Sequence, residues 1–135
     1  MNKISRAVIA LAIGATSLAA APSAFAATHD GTCVSGELCV FKDANYGGGF
    51  DDMALNDATW TNNHFPDGTV VNDHASSGGQ QDYAIIYYVD ANYGGNYFIL
   101  AANQFDTYWG TGQPNANSST YNFNDKISST ARYIP

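Results

Sequence analysis

Asp43-Ala44-Asn45-Tyr46-Gly47-Gly48 recurs unchanged as Asp90-Ala91-Asn92-Tyr93-Gly94-Gly95, 47 residues further along the chain. The two copies stay parallel on either side of this stretch. Cys39-Val40-Phe41 precedes one and Ile86-Tyr87-Tyr88 the other, Phe50 and Tyr97 follow at equal distances, and Trp60 answers Trp109. Each copy closes on an Asn-Asp-x-x-Ser-Ser stretch, Asn72 to Ser77 and Asn124 to Ser129. Self-similarity at about fifty residues marks a repeated supersecondary unit.

Within each unit the local signal is β. Leu38 to Phe41, Tyr83 to Val89, Asn96 to Leu100 and Thr130 to Ile134 are short runs rich in aromatic and β-branched residues, bounded by Gly, Asn and Asp. The shared Asn-Tyr-Gly-Gly turn supplies glycines where a hairpin backbone takes positive φ. No segment of the chain after residue 26 holds a helical period. The stretches 56–68 and 103–119 are long, polar and interrupted by Pro66 and Pro114, and read as connections, with Trp60 and Trp109 as candidate core plugs.

Lys3 and Arg6, an uncharged run from Ala7 to Ala20 and an Ala24-Phe25-Ala26 ending predict a secretory signal peptide over residues 1–26. The run is too short for a membrane span, which needs about 20 apolar residues. The remaining 27–135 is expected to be one domain, with the first unit at about 33–80 and the second at about 81–135. Only Lys42, Lys126 and Arg132 then stand against twelve acidic residues, a net charge of −9. Such a chain has no basic stripe for nucleic acid and is repelled by an anionic membrane, whereas cations are drawn to it. Eleven of the acids are Asp and one, Glu37, is Glu, which suits turns and hard-cation loops better than helix surfaces. Cys33 and Cys39 are the only cysteines, and in an exported chain they are expected to bond to each other. Half a zinc site would need further ligands, and His29, His64 and His74 form no ligand spacing with them.

Phe41-x-x-x-x-Tyr46-x-Gly48 and Tyr88-x-x-x-x-Tyr93-x-Gly95 resemble the aromatic and glycine signature of the βγ-crystallin Greek key, and the Asn-Asp-x-x-Ser-Ser stretches resemble its microbial calcium motif. The resemblance covers nearly all of the chain beyond the signal. It implies an all-β fold in which two tandem Greek keys pack as a β-sandwich, and a monomer is expected. It also implies two calcium sites shared crosswise between the keys. Their side chains would come from Asn72, Asp73 and Ser76 and from Asn124, Asp125 and Ser128, with the main-chain carbonyls of Ala44 and Ala91 completing the shells. Calcium takes several hard oxygen ligands from a flexible loop, which these residue types supply. The same residues also cap turns routinely, so a purely structural role stands as the alternative.

A second resemblance is carried by Cys33-Val-Ser-Gly-Glu-Leu-Cys39 and the strand and Gly-rich turn after it, which look like the opening of the secreted microbial metalloproteinase inhibitors. That family shares the fold, so inhibition of an extracellular metallopeptidase is the alternative function. Trp60, Phe65, Phe105 and Tyr108 in the two long connections are the side chains that could fill a protease pocket. Those inhibitors brace their reactive loop with a second cysteine pair that this chain lacks. For an enzyme the sequence offers no nucleophile elbow, phosphate loop or zinc-protease helix. Asp51 and Asp52, as strand neighbours, point to opposite faces and read as turn or edge charges.

Overall fold

The structure, a computed structural model, describes residues 28–135; the signal segment predicted from the sequence lies outside the described residues. Among the described residues seven strands form: β1 Glu37–Asp43, β2 Gly47–Ala54, β3 Ser77–Gln80, β4 Ile85–Asp90, β5 Gly94–Leu100, β6 Phe105–Asp106 and β7 Ser129–Arg132. They make two antiparallel sheets, ordered β2-β1-β3-β6 and β5-β4-β7. In each repeat a hairpin is joined by a returning strand that pairs with the hairpin's first strand. Between hairpin and return the chain crosses to the opposite sheet. β6 of the second repeat pairs with β3, and Asp57 of the first bridges Thr130 in β7. This is the pair of Greek keys packed as a β-sandwich that the resemblance implied.

The hairpin turn follows from its residues. Asn45 and Tyr46 sit at φ +57° and +60°, Asn92 and Tyr93 at +58° and +62°, and each pair folds the turn back over its strand. The glycine two residues on, Gly48, sits at φ +76°, where a side chain would be strained, and a Cβ there would also push the Asp43 carboxylate, 2.4 Å away, aside. The second serine of each closing stretch then locks the turn. Ser77 Oγ donates to the Asp43 carbonyl at 2.7 Å and accepts from the Tyr46 N–H at 3.1 Å. Ser129 repeats both bonds on Asp90 and Tyr93, at 2.6 and 3.0 Å.

The core lies between the sheets. Leu38, Val40 and Met53 of the first sheet and Ile85, Tyr87, Phe98 and Leu100 of the second belong to one buried cluster together with Phe65, Phe123 and Ile127. Trp60 and Trp109 are fully buried at its centre with ring centroids 6.5 Å apart, as core plugs. Tyr87 stacks on Phe98 at 4.7 Å and donates its hydroxyl to Gln80, whose amide reaches the carbonyls of Tyr83 and Ala101.

Three expectations change. Trp60 and Phe65, offered above as pocket-filling side chains, are 0% and 2% exposed, because core burial of large aromatic surface outweighs display on a loop. Asp51 and Asp52 do alternate in direction along β2, but both are buried rather than edge charges. A segment at residues 28–36 covers that part of the sheet: His29 N–H bonds the Asp52 carbonyl, and the Asp52 carboxylate accepts from the N–H groups of Asp30 and Gly31, each at 2.9 Å. The terminal strand ends at Arg132 rather than Ile134, which is 75% exposed. The Cys33–Cys39 disulfide is present, with a Cα separation of 5.9 Å, and staples this segment to β1.

Candidate functional site

The two Asn-Asp-x-x-Ser-Ser loops run just before β3 and β7 and lie against each other. Their backbones are tied crosswise: the Asp73 N–H bonds the Ile127 carbonyl at 3.2 Å, and the Asp125 N–H bonds the Ala75 carbonyl at 3.1 Å. The first serine of each is anchored to the neighbouring hairpin, Ser76 N–H on the Phe41 carbonyl and Ser128 N–H on the Tyr88 carbonyl, both at 2.9 Å. Burial is matched position by position. Asn is half-buried, Asp and the residue after it are exposed, and the apolar residue and both serines are buried.

The side chains cross between the keys as the backbones do. Ser76 Oγ donates to Asp125 Oδ1 at 3.0 Å, and Ser128 Oγ donates to Asp73 Oδ1 at 3.1 Å. Asp73 and Asp125 reach across because both take the left-handed conformation, at φ +60° and +55°, which Asp tolerates better than most residues. Each other carboxylate oxygen is steadied by the preceding amide, Asn72 Nδ2 on Asp73 at 2.9 Å and Asn124 Nδ2 on Asp125 at 3.0 Å. The structure therefore brings together Asp73 with Ser128, and Asp125 with Ser76, and sets Asn72 and Asn124 behind the aspartates.

The donor set suits a hard cation. Carboxylate and hydroxyl oxygens about 3 Å apart are spaced as neighbouring ligands of a calcium ion would be. Asn124 Oδ1 is buried and has no hydrogen-bond partner among the described residues, so a coordinating oxygen stands free at the second loop. Asp73, Asp90, Tyr121, Asp125 and Lys126, with Val89, line an open pocket of about 360 Å³. Asp90, Tyr121 and Lys126 were not singled out in the sequence. Asp90 had a signal, since it opens the repeated turn; Tyr121 and Lys126 had none. Of the two hairpin carbonyls, Ala44 O already accepts the Gly47 N–H, which leaves it one lone pair.

Of the aromatic side chains offered for a protease pocket, Phe105 and Tyr108 are 41% and 47% exposed. Phe105 lies in β6 and meets Tyr46 edge-on at 6.4 Å. The connection that carries them is tied down by its backbone, with Asn45 N–H on the Thr107 carbonyl at 2.8 Å and Trp109 N–H on the Ser76 carbonyl at 2.9 Å.

Comparison with known proteins gives two results. The sequence model of peptidase inhibitor family I36 matches residues 26–100. The fold matches solved βγ-crystallins, among them one from an archaeon at 23% identity and TM-score 0.54, covering 74% of this chain and all of that one. Another, from Ciona intestinalis, is 17% identical with TM-score 0.55, covering 73% of this chain and all of that one. A βγ-crystallin domain from Flavobacterium johnsoniae is 26% identical with TM-score 0.52, covering 72% and 93%. No curated protein matches by sequence.

Proposed function

The chain belongs to peptidase inhibitor family I36, and from its βγ-crystallin fold and paired Asn-Asp loops we propose an exported, non-enzymatic protein whose Greek keys bind calcium at two sites. The observation that carries this reading is the crosswise pairing of Asp73 with Ser128 and of Asp125 with Ser76. One such contact is an ordinary turn cap. Two, related by the repeat and joined across the keys, in a chain with twelve acidic residues, favour a shared ion. Asp73 and Asp125 supply the charge, Ser76 and Ser128 neutral oxygens, Asn72 and Asn124 their amide oxygens while their NH2 groups hold the aspartates in line, and the carbonyls of Ala44 and Ala91 complete the shells. When bound, the ion screens the aspartates and cross-links the keys. Export is supported by the disulfide and the signal-like residues 1–26.

Calcium that binds only the folded state raises stability by mass action, about 2.7 kcal/mol per site at 100 times Kd. Thermal melts after chelation and after calcium addition should therefore differ by roughly 10 °C or more for a chain of this size. Asn124→Ala with Asp125→Ala should remove one site's share of that difference. Equal melting temperatures with and without millimolar calcium would reduce the loops to structural turns.

Family membership favours a second reading, inhibition of an extracellular metallopeptidase. Its candidate contact is the tied-down connection bearing Phe105 and Tyr108, since a loop ordered in advance loses little entropy on binding. Titration against a thermolysin-like metallopeptidase tests it. Stoichiometric inhibition at nanomolar protein, lost in Phe105→Ala with Tyr108→Ala, would establish it; digestion of the protein would eliminate it.

A further inference from the structure

Away from the Greek-key loops, the segment at residues 28–36 brings together three carboxylates. Asp30, Glu37 and Asp52 each place an oxygen within 4.8 Å of the others, and Glu37 and Asp52 are 0% and 1% exposed. The register of the hairpin explains the meeting of the buried pair. Glu37 stands opposite Ala54 and Cys39 opposite Asp52, so Glu37 and Asp52 are diagonal neighbours on one face of the sheet. Asp30 is delivered to the same face by its segment, whose N–H groups at Asp30 and Gly31 hold the Asp52 carboxylate. The disulfide closes a loop around Glu37, and the Val34 N–H fixes one of its oxygens, Oε2, at 3.0 Å. The other oxygen, Oε1, is buried and has no hydrogen-bond partner among the described residues.

An unpartnered oxygen of a buried acid, within reach of two further carboxylates, is costly unless something positive lies among them. No lysine or arginine forms an ion pair with any of the three among the described residues. His29, the nearest base in the segment, is bonded to Asp51 instead. The donors are all oxygen and the only cysteines are oxidised, which selects a hard cation over zinc or copper. Asp30 and Asp52 also border an open pocket of about 320 Å³.

We propose that Asp30, Glu37 and Asp52 form a third divalent-cation site, for calcium, built by the disulfide-stapled segment and separate from the two Greek-key loops. The site does not depend on those loops, so the two assignments can fail independently. Calcium chloride is titrated calorimetrically into the full secreted protein after chelation, in the wild type and in Glu37→Gln, Asp30→Asn and Asp73→Asn with Asp125→Asn. The amide in Glu37→Gln keeps shape and the Val34 bond, and Asp30→Asn changes an exposed residue that can still accept the Thr32 N–H, so at least one variant reports on a folded protein. The expected result is that Glu37→Gln binds one ion fewer than wild type and Asp30→Asn binds that ion at least tenfold more weakly. The Asp73/Asp125 variant should keep one site, which adding Glu37→Gln abolishes. Unchanged stoichiometry and affinity in both Glu37→Gln and Asp30→Asn would overturn the proposal, as would complete loss of binding in a folded Asp73/Asp125 variant.

Discussion

Trp60 and Trp109 occupy matching places in the two repeats, yet their indole N–H groups fare differently. Trp60 Nε1 donates to Thr130 Oγ1 at 3.3 Å, while Trp109 Nε1 is buried with no partner among the described residues. The residue of β3 that corresponds to Thr130 is Gly78, which has no hydroxyl to offer. Replacing each Trp by Phe removes similar volume, but at Trp60 it breaks a bond and at Trp109 it removes an unsatisfied donor. Trp109→Phe should therefore be the milder change, by about 1–2 kcal/mol in urea unfolding. Tyr87 gives a pH test. Burial raises its phenol well above the usual value of 10, and its hydroxyl is bonded to Gln80. A group with a raised folded pKa stabilises fully below its unfolded pKa and loses that contribution as pH rises. Tyr87→Phe should cost about 1–3 kcal/mol at pH 7, where Gln80 loses its partner. The gap to wild type should then close by about 1.4 kcal/mol per pH unit above 10, measured by denaturant melts of both proteins.

At the level of elements, the two closing strands are built differently for the same task. β7 reads Ser-Thr-Ala-Arg, with ordinary β-formers, whereas β3 reads Ser-Gly-Gly-Gln. The glycines look like poor strand residues by propensity. In the folded chain they admit β6: a Cβ on Gly79 would stand 2.2 Å from the Gln104 carbonyl and 2.6 Å from Phe105 Cα. Neither backbone atom can yield without moving the strand. Gly79→Ala is expected to destabilise by about 1–3 kcal/mol through overpacking and to detach β6 from β3. Hydrogen exchange would show it as lost protection of the Gln80 amide, which bonds the Gln104 carbonyl at 3.3 Å, while the β4–β5 amides stay protected.

Over the whole molecule, the keys exchange parts rather than merely touching. Asp57 and Trp60 of the first repeat bond Thr130 of the second, β6 of the second completes the first sheet, and the Asn-Asp loops interlock across the same boundary. Neither repeat alone can bury its apolar face. Fragments 28–80 and 81–135 should each lack β-type circular dichroism, and mixing them should restore it. The intact protein should unfold in one transition by near-ultraviolet dichroism and calorimetry alike. A fragment that melts cooperatively by itself would show that the keys are independent domains.

The sequence by itself determined the repeat, the two hairpins, the closing serines and the paired Asn-Asp loops. These rest on local chemistry: Gly48 where a turn needs positive φ, Asp where the left-handed region is tolerated, aromatic residues where strands form. It offered Trp60 and Trp109 as core plugs, but offered Trp60 for a protease pocket as well, and only burial in the sandwich decided between the two. What it could not reach depends on which segments meet. Ser76 was legible as an oxygen donor and the resemblance implied sharing between the keys, but the individual contact of Ser76 with Asp125 follows from how the keys cross. Phe65 lies in a stretch that reads as a loop, and only the sandwich shows that it is buried. Glu37, Asp30 and Asp52 carry no shared spacing, and strand register together with the stapled segment brings them together. Contacts between residues far apart in the chain are fixed by the closure of the two sheets over one core, and no local preference encodes that closure.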